Sequence, residues 1–108
     1  LWRQKKFPEA ATHWRETLRL RQEMVRVEGP APANLTALAR IQMYLAQVLL
    51  DQAEAMRPGA QRRQLVEEAL RLLGTARAAA DVKANAKADP RLPGELSEQS
   101  RRAERLAK

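Results

Sequence analysis

The chain has no cysteine, which excludes disulfides and thiolate zinc sites and leaves its redox compartment open. Its single histidine, His13, cannot assemble a metal site by itself, and mid-helix beside an aromatic it reads as a packing or surface residue. Aromatics are nearly as scarce, with one Phe, one Tyr and two Trp, and this poverty argues against an all-β chain. No apolar run approaches the about 18 residues of a membrane span; residues 48–50, VLL, form a short one. There is no Gly-rich loop ahead of a helix, no G-K-[ST] and no G-x-S-x-G. The two serines, Ser97 and Ser100, lie in a polar C-terminal stretch with no base nearby. The carboxylate pairs Glu67/Glu68 and Glu95/Glu98 stand among arginines, where ion pairing is the ordinary explanation. We therefore expect no enzyme activity, no cofactor and no metal.

What remains is rich in Ala, Leu and Arg. At 108 residues there is room for one domain, able to bury roughly two thirds of the unfolded chain's surface. The formal charge of +7 invites a nucleic-acid reading. The excess is spread along the chain, however, with one local cluster at Arg3, Lys5 and Lys6. Most arginines lie within a turn of a Glu, as in Arg15/Glu16/Arg19 and Glu67/Glu68/Arg71. That pattern describes a solvated, ion-pair-laced helix surface. The opening LWRQKKF is not a signal peptide and reads as a cut into a longer chain. With no signal and no membrane segment in this stretch, a cytoplasmic location is expected.

Residues 7–20, FPEAATHWRETLRL, carry the clearest helical pattern. Phe7, Ala10, Ala11, Trp14 and Leu18, with Thr17 and Leu20 one ridge over, recur at steps of three and four and share a face. Small residues alternate with bulky ones, which lets a neighbouring helix approach closely. We expect residues 1–6 to end an earlier helix and Pro8 to open a new one, where its missing N–H costs nothing. That helix stops before Gly29-Pro30-Ala31-Pro32. Asn34 is the expected N-cap of a second helix, over about residues 35–56. Its seam is Leu38, Ile41, Leu45 and Val48, with Arg40, Gln47, Asp51 and Glu54 facing away. A third helix, over about residues 60–82, has a wide apolar face that suits a middle position. Gly74 inside it costs about 1 kcal/mol against Ala and marks a close crossing. Residues 81–94 read as a loop, and residues 95–107 as a short capping helix with thin apolar content and Arg101-Arg102 outward.

The frame Phe7, Ala10, Trp14, Thr17 resembles the second helix of a tetratricopeptide repeat, and Val66, Ala69, Leu73 and Ala76 fit the same frame. Residues 14–38 are similar to the longer repeats of kinesin light chains and their bacterial relatives: a helix ending Leu20-Arg21, a loop with Gly29-Pro30, then Thr36-Ala37-Leu38 opening the next helix. The frames start 59 residues apart, from 7 to 66, against the roughly 34 of the simple repeat. The resemblance implies an all-α domain of antiparallel helical hairpins over residues 1–80, three long helices plus the capping helix, within a single domain spanning residues 1–108. It further implies a protein-interaction or scaffold module that takes a peptide or partner domain in a helical groove. Trp2, Arg3 and Lys6, with Arg40 and Tyr44 on the next helix, are the expected lining of that groove, being aromatic and cationic anchor types. The alternatives are a basic module binding nucleic acid, and a self-associating bundle closed through the wide face of the third helix.

Overall fold

In the computed structural model, residues 2–108 are described, with side chains from residue 7 onward. Five helices account for the secondary structure of the described residues: α1 (Trp2–Glu28), α2 (Pro32–Glu54), α3 (Ala60–Ala80), α4 (Lys83–Ala88) and α5 (Leu92–Ala107). The protein is all-α and built of helical hairpins, as the pattern predicts. None of these helices is long and apolar enough to cross a membrane.

The centre is α2, which touches all four other helices, while α3 packs between α2 and α5, in keeping with its wide apolar face. The central place of α2 is visible in its burial. Thr36, Ala39, Ile41, Gln42, Met43, Leu45, Ala46, Leu49, Leu50 and Ala53 are buried, so α2 is covered nearly all round. Ile41 and Leu45 of the expected seam belong to that set, while Leu38 and Val48 are half-buried. Ala39, Ala46 and Ala53 recur every seven residues and are at most 1% exposed. Two turns of an α-helix return a side chain nearly to the same face, so these alanines form a flat strip that admits a close neighbour. On α3, Val66, Ala69, Leu73, Ala76 and Ala80 answer in steps of three and four. Each is at most 1% exposed, so this ridge packs within the chain, while Leu65, Leu70 and Leu72 beside it are half-buried.

Helix α1 corrects two expectations. It runs unbroken through Pro8, so the described residues before Pro8 belong to the same helix rather than to an earlier one. Pro8 supplies no N–H to the carbonyl four residues back, and the helix tolerates one missing bond near its start. The Thr12 hydroxyl donates to the Pro8 carbonyl at 2.9 Å. Ala11 is buried, Trp14 and Leu18 pack against the core, and Leu20 points outward instead. The helix ends at Gly29, whose φ of 102° is the left-handed geometry of a helix stop, and its N–H donates to the Val25 carbonyl at 2.8 Å.

Asn34 is not the N-cap of α2. The helix starts a turn earlier with Pro32 in its first turn, and the Asn34 amide donates to the Gly29 carbonyl at 3.1 Å, tying the turn together. The predicted loop over residues 81–94 contains α4, and the last helix begins at Leu92. Buried Asn85 in α4 donates to the Ala79 carbonyl at 2.8 Å, holding that short helix against the end of α3. Helix α5 packs more firmly than its thin apolar content suggests. Leu92, Leu96, Ser100 and Ala103 are buried between α2 and α3. Gly74 lies in the open, with nothing within 4 Å of the position a Cβ would take, and marks no helix crossing.

Candidate functional site

The sequence places Arg40 and Tyr44 on one face of α2, one turn apart, and the structure keeps them together. The Arg40 guanidinium donates to the Tyr44 hydroxyl at 3.4 Å and sits 5.9 Å from the ring centroid. Its other donors turn toward the chain's own C-terminal part. Nε and Nη2 donate to the two carboxylate oxygens of Asp89 at 3.0 Å each, and Nη1 donates to Glu95 at 2.7 Å. A fork of parallel bonds to one carboxylate is the strong form of this contact. Burial works to lower the pKa of Arg40, but the hydrogen bonds it donates to Tyr44, Asp89 and Glu95 outweigh it and hold the pKa above the ordinary value. Arg40 thus ties α2 to the α4–α5 turn through Asp89 and to the first turn of α5 through Glu95. A ligand using this guanidinium would have to displace two carboxylates.

Tyr44 is half-buried and packs against Trp14, with ring centroids 5.1 Å apart and planes at 43°. That tilted contact is a favourable arrangement for two aromatic quadrupoles. His13 also meets Trp14 edge-on, at 5.2 Å and 68°, and is itself exposed. The α1–α2 seam is therefore a row of three rings, and Arg40 closes its α2 side. The side chains of Trp2, Arg3 and Lys6 lie outside the described residues.

A second cationic clasp went unread in the sequence. Arg102, expected to face outward, reaches across to α2, where its Nε donates to Glu54 at 2.6 Å and its Nη2 to Asp51. Burial opposes its charge, while the bonds it donates to Glu54 and Asp51 hold its pKa above the ordinary value. Together, Arg40–Glu95 and Arg102–Asp51 fix α5 parallel to α2. Among the described residues, no group of three or more His, Asp and Glu side chains could hold a metal ion.

The surface that is left uncovered is on α1. Leu20, Met24 and Val27 are 51%, 39% and 69% exposed, three of the four large hydrophobics that stand out in solvent among the described residues. Their steps of four and three place them in one stripe. At 3.6 residues per turn the stripe lies roughly 140° around α1 from the ridge of Ala11, Trp14 and Leu18. Glu16–Arg19 and Glu23–Arg26 ion pairs run along its flank. No family model, curated protein or solved structure matches this chain.

Proposed function

We propose that the chain is a non-catalytic helical interaction module, similar to tetratricopeptide-type hairpins, and that it binds a partner helix along α1. The observation that supports this reading is the apolar stripe of Leu20, Met24 and Val27. Scattered exposed hydrophobics are ordinary on protein surfaces, but three at helical spacing present a docking ridge. An amphipathic helix laid along it would meet apolar side chains in the middle and the Glu16–Arg19 and Glu23–Arg26 pairs on its rim. The nucleic-acid alternative draws less support. Arg15, Arg19, Arg26, Arg40 and Arg102 are each already paired with a carboxylate of the chain.

A phage-displayed library of amphipathic helices, selected on the protein, tests the reading. Binders should lose at least tenfold in affinity on a Leu20→Asp, Met24→Asp variant that keeps its helical circular dichroism. Selection that yields only binders indifferent to that variant would remove the α1 assignment. Retention on heparin that falls steeply between about 50 and 200 mM salt would favour nucleic acid instead.

A further inference from the structure

Where α3 begins and α5 ends, a half-open recess of about 300 Å³ is lined by Pro58, Gly59, Arg62, Arg63, Val66, Glu67, Leu70 and residues 106–108. Its wall is divided chemically. Val66, Leu70 and Leu106 supply an apolar side, and Arg62, Arg63 and Lys108 supply basic side chains beside the acidic side chain of Glu67. None of Arg62, Arg63 and Lys108 forms an ion pair among the described residues, whereas Arg40 and Arg102 are each bound by two acids. Arg62 goes further. Its Nε–H is buried and has no acceptor, a condition that is unfavourable when nothing relieves it. The first turn of α3 beside it carries no acidic residue and no side-chain cap, so its amide groups add to the positive side of the recess.

We propose that this recess binds a carboxylate carried on a short branched aliphatic group. The carboxylate accepts from the Arg62 and Arg63 guanidinium groups, a small rotation of Arg62 bringing Nε–H to an oxygen. The aliphatic group rests on Val66, Leu70 and Leu106. The volume is at the small end of ligand pockets, which run from about 300 to 1,000 Å³, so the fit is to one or two side chains rather than to a nucleotide. This site lies on α3 and α5 and stands apart from the α1 stripe.

Titration of the 15N,13C-labelled protein with N-acetyl-leucinate, followed by two-dimensional 1H–15N and 1H–13C NMR, tests it. Saturable shifts are expected at the amides of residues 59–63 and the methyl groups of Val66, Leu70 and Leu106. Neutral N-acetyl-leucinamide should bind at least tenfold more weakly, and inorganic phosphate or acetate at least fivefold more weakly. Arg62→Lys keeps the charge but loses the fork, and Arg62→Gln and Arg63→Gln lose both; each should weaken binding fivefold or more while far-UV circular dichroism stays unchanged. A peptide blocked at both ends, with one Glu between two leucines, separates the sources. Binding of both probes assigns the carboxylate to a partner's side chain, and binding of N-acetyl-leucinate alone assigns it to a free acid or chain end. The proposal is overturned by equal binding of acid and amide, by shifts that grow without saturating, by affinity indifferent to Arg62 and Arg63, or by phosphate binding as well as leucinate, which would mean an adventitious ion only.

Discussion

Arg40 and Asp89 face each other across the join of α2 and the α4–α5 turn, two nitrogens on two oxygens at 3.0 Å. Both side chains keep about a quarter of their exposure, at 25% and 23%, so the pair is only partly desolvated. An exposed pair contributes under about 1 kcal/mol, and the fork together with Glu95 raises that figure. Asp89→Asn should therefore cost about 1–2 kcal/mol in a urea melt. The loss should be local: amide exchange in α4 should quicken more than exchange in the middle of α3. Equal quickening throughout would mean that the clasp does not hold α4 in place.

The central position of α2 predicts a steep contrast between leucines. Leu49 is fully buried, and Leu49→Ala should cost about 2–5 kcal/mol, the transfer loss plus the cavity. Leu20 is 51% exposed, and Leu20→Ala should change stability by less than about 0.5 kcal/mol. Chemical denaturation of the two variants side by side checks both.

Two glycines should respond in opposite directions. Gly74 is mid-helix with open space where a Cβ would go, so Gly74→Ala should stabilise by about 0.5–1 kcal/mol. Gly29 sits at a φ of 102°, and Gly29→Ala should destabilise by about 1 kcal/mol or more through strain at the end of α1. Thermal melts of the pair give the sign directly.

Acid should loosen the distal part of α1. Hydrogen bonds from Arg19 and Arg26 hold the carboxyls of Glu16 and Glu23 below their ordinary pKa. A lowered folded pKa means that the stabilisation is fully present above the unfolded value, about 4.3 for Glu, and is lost as pH falls through the folded one. NMR titration of the two side chains should place both midpoints below the ordinary Glu value. Midpoints at or above it would show that the pairs do not form in solution.

The helices were legible in sequence because their apolar residues recur at steps of three and four. The frame Val66, Ala69, Leu73, Ala76 is the buried ridge of α3. What could not be read was which polar residues turn inward. Arg102 looked like one more surface arginine, since its partners Asp51 and Glu54 lie about 50 residues away in the chain, with separations of 51 and 48. Arg40 was singled out as a groove residue for its type, and its acids Asp89 and Glu95 sit in a stretch that reads as loop and helix start. Asn34 had the right chemistry for an N-cap, but Pro32, already fixed near helical φ, started α2 sooner. The stripe at Leu20, Met24 and Val27 has a visible spacing, yet the pattern of residues 7–20 drew Leu20 onto the core side.

Because α5 folds back beside α2 instead of stacking outward, the array has unlike sides. A tandem solenoid grows by laying each new hairpin on an open flank. Here the flank beyond α3 is shut by the returning chain, and α1 offers the broad helical side that stays vacant. A neighbouring helix laid along α1 would therefore meet an open side, whereas one approaching beyond α3 would meet α5 first.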